Sequence, residues 1–209
     1  MTLLPELTLV AVAGLVAAEW RGSQTGKWIF KTAASSGFVA TALAAGALNG
    51  GYGRAVFIAL LLCWLGDVLL IPNDERMFRA GILSFLAGHG ALVAAFFMRG
   101  LEPRATALAA LLVVAPAIAI LRWLWPHLRP TMRPAVTAYV TVISVMVATS
   151  FGTFVAMPAT RILAGALSFA ISDLSVARDR FVVASFVNRA WGLPLYYAAV
   201  LLLATSVQQ

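Results

Sequence analysis

The chain has 209 residues, of which 62% are hydrophobic and only 11% charged, and it carries a net charge of +7; a typical soluble domain has about 25% charged residues. So much apolar surface exceeds what a core of this size can bury, which excludes a soluble globular protein and requires lipid to cover part of the chain. In a soluble protein the positive balance would suggest nucleic acid, but here the 13 arginines and 2 lysines fall mostly in short loops. There they set topology and meet anionic headgroups, and no nucleic-acid binding is expected.

Met1 to Trp20 lacks the basic start of a cleavable leader and carries Glu6, so the first apolar run is read as a retained span over 4–19. Further stretches of about 20 apolar residues follow at 28–48, 54–71, 78–98, 104–124, 133–152, 159–177 and 190–207. Between them lie Gly-, Pro- and Asn-containing or charged breaks such as Asn49-Gly50-Gly51, Pro72-Asn73-Asp74 and Met157-Pro158, the residue types that chain reversals at a water interface require. The expected fold is all-α, a polytopic membrane bundle of eight transmembrane helices. No long polar linker divides it, so residues 1–209 form a single integral-membrane domain. The one cysteine, Cys63, lies mid-span and excludes an intrachain disulfide. Asn188, next to Arg189, is expected to cap the last span. The preference for Arg over Lys, with abundant Ala and Gly, is the usage of a high-GC genome, and the expected location is a bacterial cytoplasmic membrane.

Orientation follows from the loops. Loops 1, 3, 5 and 7 carry Arg21, Lys27, Arg76, Arg79, Arg122, Arg129, Arg133, Arg178, Arg180 and Arg189, whereas loops 2, 4 and 6 carry Arg54, Arg99, Arg104 and Arg161. The odd loops are therefore expected in the cytoplasm, with both termini on the other side.

Two carboxylates, Asp67 and Asp173, stand inside apolar runs of a chain with eight acidic residues. A charge at the centre of a membrane span costs at least ~2.5 kcal/mol on insertion scales, so such residues are candidates for function. Both lie about four residues from the cytoplasmic ends of their spans. Lys31 and Tyr139 fall within two turns of the same face, and His89 near mid-membrane, so the polar groups share the cytoplasmic half of the bilayer. In a poorly solvated site one carboxyl would be protonated and the other ionised, as in hydrolases where one group donates a proton and the other activates water. The alternative is interhelical hydrogen bonding alone.

Lys31 either snorkels to the interface, neutralises an Asp or binds a lipid phosphate. His89, flanked by glycines and on the same helix face as Phe85, lines the site or makes a structural hydrogen bond. Tyr139 is a site-lining donor or an interfacial anchor. Ser172 adjoins Asp173 and, with Phe85, is expected to line the site, but it does not form a triad with Asp173, because neighbours along a helix do not face each other. A metal would need His89 plus both Asp residues, a set without a recognised motif, and neither metal nor organic cofactor is expected. A faint echo relates Gly66-Asp67 with Asp74-Glu75-Arg76-Met77-Phe78 to Ser172-Asp173 with Asp179-Arg180-Phe181, as a parallel duplication of four spans would give.

Lys31, Gly66-Asp67-Val68-Leu69-Leu70, Phe78-x-x-Gly81-x-x-x-Phe85-x-x-x-His89, Tyr139 to Met146, Gly165 to Asp173 and Tyr196-Tyr197 together resemble the lysoplasmalogenase family of the YhhN type, in order and over nearly the whole chain. Val200 departs from that pattern, standing where the family usually has Gln after Tyr-Tyr-x-Ala. The resemblance implies hydrolysis of the vinyl ether of a lysoplasmalogen to a fatty aldehyde and a glycerophospho-choline or -ethanolamine, with Asp67 and Asp173 as acid and base. It implies a lysophospholipid substrate entering from the bilayer, and it leaves the headgroup, the division of labour between the two Asp residues and the oligomeric state open. The competing reading is a proton-coupled transporter using both carboxylates as a relay.

Overall fold

The protein is described by a computed structural model covering residues 3–208. Among the described residues, eight α-helices make up the bundle: α1 (Leu4–Trp20), α2 (Gln24–Ala44), α3 (Gly51–Leu69), α4 (Glu75–Arg99), α5 (Pro103–Leu124), α6 (Arg133–Ala156), α7 (Thr160–Ala177) and α8 (Phe186–Thr205). Local chemistry sets their starts. The Asp74 carboxylate accepts from the backbone N–H groups of Arg76 and Met77 at the head of α4, both at 2.9 Å. Glu102 does the same ahead of Pro103 in α5, and the Ser23 hydroxyl accepts from Gly26 in α2. Each bond satisfies a donor that a helix start leaves free.

Six of the helices, α3 to α8 with their short 3-10 or π extensions, are long and apolar enough to cross a membrane. The remaining two differ from the expected spans for identifiable reasons. At 17 residues, α1 reaches about 26 Å at 1.5 Å per residue, slightly short of a hydrocarbon core about 30 Å thick. The lower apolarity of α2 comes from Gln24, Lys27, Lys31 and its Ser and Thr residues, of which Ser35 and Thr41 are buried beside Ala34, Phe38 and Ala42. Both helices pack into the same bundle as the other six. Helix ends differ from the sequence reading by up to four residues, the last helix starting at Phe186 instead of 190.

In order of packing, α1, α2, α3 and α4 follow one another, α4 then turns to α6, and α6, α7 and α8 complete the series. The ring closes where α8 packs on α1 and α2. Helix α5 lies outside, mainly against α6, and buries only Ala109 and Leu124. The pairings within α1–α4 recur within α5–α8, and α8 on α2 has its counterpart in α4 on α6. That is the pattern expected of the four-span echo.

Without a hydrophobic drive between helices in lipid, close backbone approach does the work. Between α7 and α8, a Cβ on Gly165 would come within 2.8 Å of Leu203, and one on Gly192 would run into Ser175. At the arginine-rich end, polar contacts lock the first and last hairpins together. Glu19 meets Lys27 at 3.0 Å and Arg189 at 2.9 Å, and Arg189 reaches Asp179 at 3.3 Å. Asn188 does not cap α8, which starts two residues earlier. It is buried inside the helix, donating to the Val183 carbonyl and accepting from Arg178, and so holds the π turn Arg178–Val182 onto α8. The two echo segments also meet, with Phe78 and Phe181 edge to face at 6.1 Å and Arg180 over the Phe78 ring at 4.0 Å.

The Lys/Arg asymmetry generates a topology test. In a Cys63→Ala background, cysteines at the exposed positions Asn73 and Thr131 resist an impermeant thiol reagent on intact cells and react once the membrane is permeabilised. Ready labelling of both on intact cells would reverse the orientation.

Candidate active site

Helix α2 places Lys31, Ser35 and Phe38 on one face, at the spacing of successive turns. That face meets Asp67 near the end of α3. Asp67 is buried and its carboxylate is approached from two other helices. Its Oδ2 accepts from the Ser35 hydroxyl and from the Tyr196 hydroxyl of α8, both at 2.7 Å, and its Oδ1 lies 3.5 Å from the Lys31 Nζ. A second layer supports the first: the Tyr197 hydroxyl sits 3.0 Å from Ser35 Oγ and 3.4 Å from the Lys31 carbonyl oxygen. Two short bonds to hydroxyls and a cation make this the setting of an ionised carboxylate.

Asp173, on α7, is held more loosely. The Tyr139 hydroxyl of α6 donates to its Oδ2 at 3.2 Å, and His89 Nε2 of α4 stands 3.5 Å from the same oxygen. Its side chain is 15% exposed against 3% for Asp67. The two carboxylates thus have related surroundings. Asp67 draws on α2 and α8, and Asp173 on α6 and α4, the helices that correspond when α1–α4 is laid on α5–α8.

Aromatic rings fill the space between. Phe169 lies 4.4 Å from the His89 ring and 5.3 Å from Tyr196, while Phe85 packs edge to face on Tyr196 at 5.9 Å and on Phe169 at 6.4 Å. The wall raises the strength of any electrostatic contact inside it by excluding water. Gly66 is what admits Phe85, since a Cβ there would fall 2.6 Å from the ring. Cys63, one turn before Asp67, is buried. Among the described residues, no three His, Cys, Asp or Glu side chains gather to hold a metal ion.

Of the residues singled out in the sequence, Lys31 is placed at Asp67, and His89 and Tyr139 at Asp173, with Phe85 between the two groups. Ser172 is buried but donates to the Phe169 carbonyl of its own helix at 2.7 Å, so its hydroxyl is satisfied within α7. Sequence reasoning omitted Ser35, Phe169 and Tyr196 from the site. Ser35 had one available signal, its four-residue spacing from Lys31. Tyr196 had its place in the Tyr-Tyr pair, but a tyrosine in a span also serves as an interfacial anchor.

A family model described as the YhhN family matches residues 26–207. The chain is 31% identical over 185 residues to "Lysoplasmalogenase TMEM86A" of Bos taurus, an overlap covering 86% of this chain and 72% of that protein. It is 33% identical over 178 residues to "Lysoplasmalogenase" of Mycobacterium tuberculosis (strain CDC 1551 / Oshkosh), covering 80% of this chain and 66% of that protein. To "Lysoplasmalogenase TMEM86B" of Sus scrofa it is 31% identical over 161 residues, covering 77% and 66% respectively. No solved structure matches.

The close contact at Gly66 yields a test of the wall. Gly66→Ala forces Phe85 aside and lowers the thermal midpoint, at a cost of about 1–3 kcal/mol for overpacking. Adding Phe85→Leu restores much of the stability; if the double variant melts no higher than Gly66→Ala, the ring is not what the glycine accommodates.

Proposed function

Because this chain belongs to the YhhN family, we propose that it is a membrane-embedded hydrolase that cleaves the vinyl ether bond of lysoplasmalogens, releasing a fatty aldehyde and a glycerophospho-choline or -ethanolamine. The observation that carries this reading is the pair of intramembrane carboxyls in unequal surroundings, Asp67 with a cation and two short hydroxyl bonds, Asp173 with neither. It is joined by the names of the relatives. A vinyl ether is cleaved by protonating its β-carbon, which produces an oxocarbenium ion that water captures. One carboxyl supplies the proton and the other faces the developing positive charge. No step calls for a metal or an organic cofactor.

The substrate is a single-chain lipid that enters from the bilayer. Since Lys31 is engaged with Asp67, the headgroup falls to arginines of the odd loops, where anionic groups are attracted. The relay reading is less well supported. Farther along the bundle, the buried hydroxyls of Thr41, Thr149 and Ser150 bond to carbonyls of their own helices and not to one another, so they build no proton path.

The purified, detergent-solubilised protein is expected to release aldehyde from a lysoplasmalogen and none from a saturated lysophospholipid. Asp67→Asn and Asp173→Asn each lower release by at least roughly 10²-fold, the lower end of what a general acid or base contributes, while the protein still inserts and purifies. A variant keeping more than about a tenth of wild-type turnover removes that residue from the mechanism. Treatment with a strong chelator leaves turnover unchanged; a full loss restored by zinc would replace the two-carboxyl scheme with metal-activated water.

A further inference from the structure

His89 is fully buried, and its Nδ1 lies 2.7 Å from the Phe85 carbonyl oxygen. A carbonyl only accepts, so Nδ1 carries a hydrogen and the neutral ring presents a lone pair at Nε2. That nitrogen has no hydrogen-bond partner and lies 3.5 Å from Asp173 Oδ2. An ionised Asp173 would set acceptor against acceptor, with the Phe169 and Tyr139 rings against the imidazole. Among the described residues Asp173 has no ion-pair neighbour except His89. One proton shared by the couple resolves the conflict, and in apolar surroundings the neutral O–H···N form is favoured over a separated imidazolium and carboxylate. Asp67 is the opposite case, with its charge matched by Lys31 and its Oδ2 occupied by two hydroxyls.

We propose that His89 keeps the transferable proton on Asp173, which makes Asp173 the acid of the reaction and leaves Asp67 as its fixed negative charge. The assignment rests on the vinyl ether hydrolase reading. The Asp173 carboxyl gives its proton to the β-carbon, the π pair forming the new C–H bond, and the resulting oxocarbenium ion is stabilised by Asp67. Water adds to the cationic carbon and its released proton returns to Asp173, giving a hemiacetal. Asp173 then protonates the glyceryl oxygen as the C–O bond breaks, and the hemiacetal hydroxyl proton restores it as the aldehyde forms. Asp67 keeps its charge throughout, as three fixed donors require, while the looser and more exposed Asp173 is the carboxyl that meets the substrate. His89 acts through Asp173 and is a positioning residue.

The test is infrared spectroscopy of the full-length protein in detergent, without substrate, near neutral pH. A carbonyl stretch of a protonated carboxyl is expected, moved down by ¹³C labelling of aspartate side chains. It persists in Asp67→Asn, vanishes in Asp173→Asn and changes frequency in His89→Ala. Where Asp173→Asn fails to fold, the labelled band and its response to His89→Ala decide. No such band, or one that vanishes in Asp67→Asn instead, overturns the assignment.

In turnover, His89→Ala lowers kcat roughly ten- to a hundredfold with little change in KM. His89→Gln, whose amide oxygen accepts a hydrogen bond, recovers part of the loss. A His89→Ala variant with full kcat, or with only a raised KM, overturns the positioning role. Bands as expected in a protein that releases no aldehyde support the proton placement and sink only the hydrolase reading.

Discussion

A carboxylate in the hydrocarbon layer is tolerable only when donors from other helices reach it, because lipid offers none. Much of this bundle is arranged around that requirement. For Asp67 the donors come from α2 and α8, which forces those helices against the end of α3. For Asp173 the partners come from α6 and α4, which explains why α4 turns to α6 instead of its chain neighbour α5. The close approach that glycines permit at Gly66, Gly165 and Gly192 serves the same end, since hydroxyl and carboxyl side chains span only short distances.

The two halves of the ring then differ in a chemically useful way. Both carboxyls occupy corresponding places on corresponding helices, yet one half supplies an ammonium and two hydroxyls and the other an imidazole and one more distant phenol. A symmetric scaffold carrying asymmetric partners gives the two groups unequal surroundings, which is what the proposed division into one protonated and one ionised carboxyl builds on. The same logic, two carboxyls pushed apart by their environments, underlies acid and base assignment in many hydrolases.

How much of this was readable in the chain depended on how costly each residue is in lipid. Asp67 and Asp173 were conspicuous because an acid inside an apolar run has no bland explanation. Lys31, His89 and Tyr139 were legible by depth but not by partner, since lateral neighbours 34 to 84 residues away leave no local trace. Ser35 and Tyr196 went unremarked as site residues because a serine or tyrosine in a span is inexpensive and common. Ser172 misled in the other direction, its adjacency to Asp173 counting for nothing once its hydroxyl turned back to Phe169. The helices were legible from hydropathy and turn residues, whereas the inward polarity of α2 and the position of α5 outside the ring are set by packing. Asn188 looked like a cap by its neighbours and proved to be an interior clasp.

The sequence separations of the site contacts carry one more consequence, for the order in which the chain is made. Lys31 and Ser35 precede Asp67 by 36 and 32 residues, so they are already in the translocation channel or the bilayer when that acid emerges. His89 and Tyr139 likewise precede Asp173. Tyr196 alone arrives late, 129 residues after the group to which it donates. Synthesis from the N-terminus therefore never has to release either acid into lipid before a polar companion has gone ahead of it, and the last helix completes a nest that was occupied from the second helix onward.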